Sequence, residues 1–204
     1  MKTVFVNAEK CVGCRHCEIA CAKAHATHED MHAVLHDEPQ PRPRISVGLG
    51  VDFMKFPNRC RHCDPAPCHQ VCPTSAIYRD KELGSVLVNE DRCISCGMCA
   101  MVCPFNAISF YLTPNVNREV SYKCDDCIAR QKADREPACV EACKTGALVF
   151  GDVNAIVDGL KKDVVMDITR DIKGMPPAHI PANIRTFQGI TEKIAQLGPM
   201  PSSK

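Results

Sequence analysis

Sixteen cysteines stand in four groups of four, with none left over. They are Cys11, Cys14, Cys17 and Cys21; Cys60, Cys63, Cys68 and Cys72; Cys93, Cys96, Cys99 and Cys103; and Cys124, Cys127, Cys139 and Cys143. Four thiolates complete either a tetrahedral zinc site or a cubane iron–sulfur cluster. The third group reads C-x2-C-x2-C-x3-C-P, a loop that wraps three corners of a [4Fe–4S] cubane and aims backbone N–H groups at its sulfurs, which raises the reduction potential. Gly13 and Gly97 suit the unusual backbone angles of such loops, and Pro73 and Pro104 fix the chain just past the fourth cysteine. Ligands match four clusters with no deficit, so no iron is left open for a substrate. The expected role is electron transfer and not catalysis. The competing reading of another class, a structural zinc-binding protein, predicts a colourless chain.

The elements that must position these cysteines repeat along the chain. Pro-Thr-Ser-Ala-Ile follows Cys72, Pro-Phe-Asn-Ala-Ile follows Cys103, and Lys-Thr-Gly-Ala-Leu follows Cys143. Group one departs, with Ala-Lys-Ala-His-Ala after Cys21. Short β-type segments are expected at Thr3–Val6, Ser85–Val88, Ile108–Tyr111, Val120–Tyr122 and Leu148–Phe150. Residues 22–59 form an insertion: Ala22–His36 has helical character, and Asp37–Arg44, with Pro39, Pro41 and Pro43, should be extended. In the cysteine-free residues 151–204, Val153–Lys162 and Gly189–Leu197 look like short helices. This extension is expected to wrap the domain or contact a partner.

Composition bounds the rest. Aromatic residues make up 5% of the 204 and Trp is absent, so a conventional core is thin. Clusters supply core material and folding free energy, and the apo chain should fold poorly. The formal net charge is +1, but a four-thiolate oxidised cubane carries about −2, which brings the loaded protein to roughly −7. That argues against nucleic-acid binding. The segment before Cys11 has no apolar signal core, and no stretch reaches the roughly 20 apolar residues of a membrane span. A cytoplasmic protein with no membrane span of its own is expected.

Other residues could modulate the clusters. His25, His28, His32 and His36 fall on one face if the insertion is helical, as a metal site, a proton path or a polar surface. His16, His62 and His69 sit inside cysteine loops, placed to tune potential or face a partner. Arg15, Arg59, Arg61, Arg92 and Lys123 adjoin cysteines; there a positive charge raises cluster potential or is ordinary surface charge, while Asp125 and Asp126 act oppositely. No Walker loop, Ser-His-Asp signature or G-x-G-x-x-G appears.

The motifs C-V-G-C-R-H-C-E-I-A-C (11–21), C-R-H-C-D-P-A-P-C-H-Q-V-C-P-T (60–74), C-I-S-C-G-M-C-A-M-V-C-P-F (93–105), C-D-D-C-I-A-R and P-A-C-V-E-A-C-K-T-G-A-L (within 124–148) resemble the four-cluster ferredoxin-like electron-transfer subunits of molybdopterin oxidoreductase, formate dehydrogenase, hydrogenase and carbon monoxide dehydrogenase systems. E-P-Q-P-R-P-R at 38–44, F-P-N-R-C-R-H-C-D-P-A-P-C at 56–68 and the C-K-T-G-A-L end look most like the carbon monoxide dehydrogenase-associated subunit, the CooF type. The resemblance implies an α+β fold of two interleaved bacterial 2×[4Fe–4S] ferredoxin-like units over residues 1–150. The inner unit would be 60–110, and the outer unit 1–21 with 118–150. In two-cluster ferredoxins the fourth cysteine of a run serves the other cluster. Carried over, Cys93, Cys96 and Cys99 join Cys72, and Cys60, Cys63 and Cys68 join Cys103. The outer sets are then Cys11, Cys14 and Cys17 with Cys143, and Cys124, Cys127 and Cys139 with Cys21. The implied partners are carbon monoxide dehydrogenase as donor, with formate dehydrogenase or hydrogenase as the sibling reading, and a hydrogenase or NAD(P)-reducing flavoprotein as acceptor.

Overall fold

The computed structural model describes residues 2–113 and 115–175. In chain order its elements are β1 (Lys2–Val6), α1 (His16–Ala24), α2 (Met31–Val34), β2 (Ile45–Leu49), β3 (Lys55–Arg59), α3 (Pro67–Gln70), β4 (Ile77–Arg79), β5 (Val86–Val88), α4 (Met98–Met101), β6 (Ile108–Thr113), β7 (Val116–Lys123), α5 (Ile128–Lys132), α6 (Ala138–Glu141), β8 (Leu148–Asp152) and α7 (Val153–Ile172). Among the described residues strands pair in antiparallel twos: β1 with β8, β2 with β3, β4 with β5 and β6 with β7. The described residues divide into two compact units, one up to Val12 and from Thr145 onward, the other Gly13–Lys144.

The cysteine repeat is also a conformational repeat. Two residues past the first cysteine of each group the backbone turns left-handed, at Gly13, His62, Ser95 and Asp126 (φ 74°, 50°, 59° and 62°). Only glycine adopts this region freely, so three loops hold a costly conformation that the pattern of glycines does not announce. The third cysteine of every group is then the second residue of a helix: Cys17 in α1, Cys68 in α3, Cys99 in α4 and Cys139 in α6. The fourth follows four residues later, one helical turn on. Pro73 and Pro104 bias the residue before them away from helix, which suits the single turns of α3 and α4, although α6 is equally short with Lys144 in that place. Group one has Ala22 there, and α1 continues to Ala24. Three residues past the fourth cysteine the chain is left-handed again, at Ser75, Asn106 and Gly146 (φ 50°, 48° and 66°). The Ala-aliphatic pair then enters β4, β6 and β8.

In the unit Gly13–Lys144, those aliphatics make the core. Ile77 and Val86 pack with Ala66, Cys99 and Ile108, and Val120 packs with Ala76 and Cys93. Full burial of such a side chain contributes about 1.5–3 kcal/mol. The cysteines are part of this core, which is why few aromatics suffice. In the other unit β1 and β8 pair from Lys2 with Asp152 to Val6 with Leu148, and Asp152 caps α7 by accepting from the Asn154 and Ala155 N–H groups at 3.0 and 3.3 Å.

Several expectations change. Helical character does not run through Ala22–His36: α1 ends at Ala24, and Asp30 starts α2 by accepting from the His32 and Ala33 N–H groups, both at 3.0 Å. The four histidines therefore share no face. Helix α7 runs to Ile172, ten residues past the expected Lys162, and Gly174 with φ 62° ends it. The hairpin β2–β3 was not expected. Ile45 and Val47 face inward, and Pro57 is tolerated in a two-stranded ribbon. The helix expected at Gly189–Leu197 lies outside the described residues.

Candidate metal centres

Within Gly13–Lys144 the fold gathers cysteines from different sequence groups. The loop before α4 supplies Cys93 and Cys96, α4 supplies Cys99, and the turn after α3 supplies Cys72; all four line one cavity, with Ala76, Ile77 and Phe110 among its walls. The Cys93 Sγ accepts from the Ser121 N–H at 3.4 Å, and the Ser121 hydroxyl lies 3.6 Å from the Cys99 Sγ. Burial works to raise the Cys72 thiol, but hydrogen bonds from the Ile77, Thr74 and Ala76 backbone and the Thr74 hydroxyl outweigh it, so its pKa is lowered.

A second gathering brings the Cys68 thiol near Cys60 and Cys103. Burial is the main reason its pKa is raised, and the two neighbouring thiols add to the effect. The Cys60 Sγ accepts from the His62 N–H at 3.4 Å, and the Cys103 Sγ from the Ala107 N–H at 3.5 Å. Cys63 is half-buried in the same loop, its carbonyl accepting from Arg79.

The third gathering uses the packing of α1 on α6, which sets Cys21 beside Cys139 and the Cys124–Cys127 loop. Burial pushes the Cys21 thiol up to about 12 and Cys127 up to about 11, with neighbouring thiols adding to both; Cys124 and Cys139 are raised for the same main reason. The Cys21 Sγ accepts from the Arg44 N–H at 3.2 Å, and the Cys124 Sγ from the Asp126 N–H at 3.4 Å.

Of the remaining cysteines, Cys11 is buried in the other unit, just past a single 3-10 turn at Ala8–Lys10. Cys14 is exposed, Cys17 buried in α1, and Cys143 half-buried after α6.

Crowded, buried thiols resist ionising on their own. A cationic iron core reverses that, because a coordinating thiol is deprotonated outright. Backbone N–H groups aimed at the sulfurs then stabilise the thiolates. The donor sets therefore fit iron–sulfur clusters, and they are all-sulfur, which excludes hard cations such as Mg²⁺.

A match to the 4Fe-4S dicluster domain spans residues 51–153. The electron transport protein HydN of Escherichia coli (strain K12) is 34% identical over 164 residues, covering 75% of this chain and 89% of HydN. An iron-sulfur protein of Rhodospirillum rubrum is 35% identical over 180 residues, covering 84% of this chain and 93% of that one. The thiosulfate reductase electron transfer subunit PhsB of Salmonella typhi is 38% identical over 159 residues, covering 72% and 74%. The chain belongs to this 4Fe-4S dicluster family of electron-transfer subunits. It is an iron–sulfur electron-transport protein, and its sixteen cysteines match four [4Fe–4S] clusters.

The structure sorts the charged and histidine candidates. Arg15 is largely exposed and 3.9 Å from Glu18, and Arg92 is exposed. Arg61 lies over the Phe56 and Phe105 rings at 5.5 and 5.4 Å. Arg59 and Lys123 are buried, at 1% and 4% exposure. His16 and His69 are exposed, whereas His62 is buried and accepts the Val86 N–H at Nδ1, 2.9 Å away. Burial above all, then Lys123 and Arg59, pushes His62 down to about 2, so its ring is neutral. His25 reaches Asp125 at 3.0 Å and has its Nδ1 3.8 Å from the Cys21 Sγ; His28 pairs with Asp37, and His32 and His36 are exposed.

Sequence reasoning missed what the Pro-Arg-Pro-Arg stretch does. Arg42 and Arg44 stack on Tyr111 and Tyr122 at 4.7 and 4.9 Å, and the Tyr122 hydroxyl donates to the Arg42 carbonyl at 2.6 Å. Arg44 also pairs with Asp125 at 2.7 Å. Burial works to raise Asp125, but His25 and Arg44 hold it well below the usual carboxylate range. The signal was present as alternating Pro and Arg, which pre-extends the segment so that a backbone N–H faces Cys21.

Proposed function

We propose that the chain passes single electrons through four [4Fe–4S] clusters between a redox enzyme and an acceptor protein. The observation that carries this reading is the cavity shared by Cys72 with Cys93, Cys96 and Cys99, the exchange of fourth cysteines that places two clusters side by side. The ligand sets are Cys93, Cys96, Cys99 and Cys72; Cys60, Cys63, Cys68 and Cys103; and Cys124, Cys127, Cys139 and Cys21. The fourth set, Cys11, Cys14, Cys17 and Cys143, rests on the family resemblance and on these being the cysteines left over, and it completes two interleaved ferredoxin-like units within residues 1–150. When bound, each cluster supplies a one-electron site. The chain's own groups hold the thiolates, direct N–H donors at the sulfurs and exclude water with Ile77, Val86, Val120 and Phe110.

The donor is carbon monoxide dehydrogenase and the acceptor a hydrogenase or NAD(P)-reducing flavoprotein, supported by the CooF-type motifs at 38–44 and 56–68 and the C-K-T-G-A-L end. The chain itself works in the cytoplasm, and any membrane link runs through a partner. Among the described residues no helix is long and apolar enough to cross a membrane. The likeness to a thiosulfate reductase electron transfer subunit favours a second reading, service to another oxidoreductase such as formate dehydrogenase. Purified holoprotein mixed anaerobically with each enzyme and its substrate decides between them. Reduction of the chain's visible absorbance by CO with carbon monoxide dehydrogenase, at a rate that saturates with the chain, supports the first reading. Reduction only by formate with formate dehydrogenase supports the second.

A further inference from the structure

Two strands end one residue before a cluster loop, and each sends its last side chain to the other's loop. Strand β3 ends at Arg59, next to Cys60, yet the Arg59 Nη1 donates to the Cys124 Sγ at 3.5 Å. Strand β7 ends at Lys123, next to Cys124, yet its Nζ donates toward the Cys60 Sγ at 3.8 Å. The cations are crossed between two cysteine sets.

The charge at this crossing does not balance without an added anion. Arg59 has one carboxylate partner, Asp126 at 3.2 Å, which also accepts from the Ser85 hydroxyl at 3.1 Å. Among the described residues, Lys123 donates to neutral carbonyls, those of Val86 and Cys124, besides the Cys60 sulfur. Among the described residues, Arg59 Nε and Nη2 and His62 Nε2 are buried polar atoms with no hydrogen-bond partner, His62 Nε2 lying 4.0 Å from Asp126 Oδ1. His62 accepts at Nδ1, so Nε2 carries its proton. Three unpartnered donors and two buried cations, offset by one carboxylate, would be strongly destabilising alone. Two cluster sites of about −2 each supply what is missing.

We infer that Arg59 and Lys123 form a crossed cation pair joining the cluster on Cys60, Cys63, Cys68 and Cys103 to the cluster on Cys124, Cys127, Cys139 and Cys21, and that it raises the reduction potentials of these two above those of the other pair. The inference rests on the cluster reading above. Reduction adds one electron, hence one negative charge, to a site that already faces a buried cation; the redox enzyme is the source of that electron. Burial makes the effect larger than at Arg15 or Arg92, which water screens. Functionally, the crossed pair makes these clusters the low-energy stretch of the wire, where electrons wait.

The test is potentiometric EPR on anaerobically purified holoprotein, with iron and sulfide measured in each sample. Arg59→Gln should keep the wild-type iron content and lower the midpoint mainly of the cluster on Cys124. Lys123→Gln should do the same mainly at the cluster on Cys60. At the ambient potential that half-reduces the wild-type cluster, its reduced-to-oxidised ratio should fall about tenfold, or roughly 59 mV for one electron. Arg92→Gln, beside a cysteine but exposed, should move nothing. Full iron with all midpoints unmoved in Arg59→Gln and Lys123→Gln overturns the inference and leaves the clusters standing. If either Gln variant is short of iron, Arg59→Lys and Lys123→Arg decide. Full iron at wild-type midpoints supports a role for charge, and persistent iron loss overturns it. A wild-type protein without iron would instead defeat the cluster reading itself.

Discussion

Replacing Cys72 tests whether cysteines from two sequence groups hold one cluster. Cys72 lies in the second group by sequence, but shares a cavity with Cys93, Cys96 and Cys99 of the third. Four irons per cubane over four sites give about sixteen in the wild type. Cys72→Ala and Cys93→Ala should each remove one cluster, leaving about twelve irons. The informative variant is the double. If both cysteines serve one cubane, Cys72→Ala/Cys93→Ala loses no more iron than either single, a complete failure of additivity expected only for residues of one site. Cys72→Ala/Cys103→Ala spans two of the proposed cysteine sets and should lose twice as much, leaving about eight. The single variants calibrate the scale, so a site that retains part of its iron on three thiolates does not alter the comparison. Iron by colorimetric assay and spin quantitation by EPR give independent readings. Additive loss in Cys72→Ala/Cys93→Ala, with non-additive loss in Cys60→Ala/Cys72→Ala, would refute the exchange and return each cluster to its own sequence group.

Other consequences concern the scaffold. Ile77→Ala empties a fully buried position on the wall of the same cavity and should cost about 2–5 kcal/mol, seen as earlier thermal loss of cluster absorbance; a change under about 1 kcal/mol would contradict its core role. Gly97→Ala meets no atom within 4 Å but must hold φ 79°, so its cost is backbone strain alone, about 1–2 kcal/mol, and Asn at the same site should recover part of it. Asp37 is buried, accepts the Thr27 N–H at 3.1 Å and is held below its ordinary value of 3.8 chiefly by the His28 hydrogen bond. Its stabilisation is therefore full above pH 3.8 and fades as pH falls through the lowered pKa. Hydrogen exchange at Thr27 and His28 should be faster in Asp37→Asn than in wild type at pH 6, and the difference should narrow with acid.

How much was legible in the sequence follows from where the information lies. The cysteine spacing and the Ala-aliphatic pair are local, so β1, β5, β6, β7 and β8 could all be located near their observed places. The turn residues were half visible: Gly13 and Gly97 announce left-handed backbone, but His62, Ser75, Ser95, Asn106 and Asp126 adopt it because the loop closes around sulfur, against their own preference. The histidine spacing misled because α1 ends at Ala24 and Asp30 starts a separate helix, α2, by accepting from the His32 and Ala33 N–H groups. Arg59 and Lys123 were noticed as neighbours of cysteines in sequence. Their crossing to each other's loops depends on the approach of β3 and β7, which no local pattern carries. The Pro-Arg-Pro-Arg stretch was read as a family mark, and its partners Tyr111, Tyr122 and Asp125 lie about 70 to 80 residues away.

The central claim, that all sixteen cysteines serve electron-carrying cubanes, is tested most directly by metal and sulfide analysis of anaerobically purified protein, with EPR after dithionite reduction. About sixteen irons and sixteen acid-labile sulfides per chain, with the broadened signal of clusters that sense one another's spins, is the predicted result. Stoichiometric zinc, or no iron after anaerobic reconstitution, would contradict it.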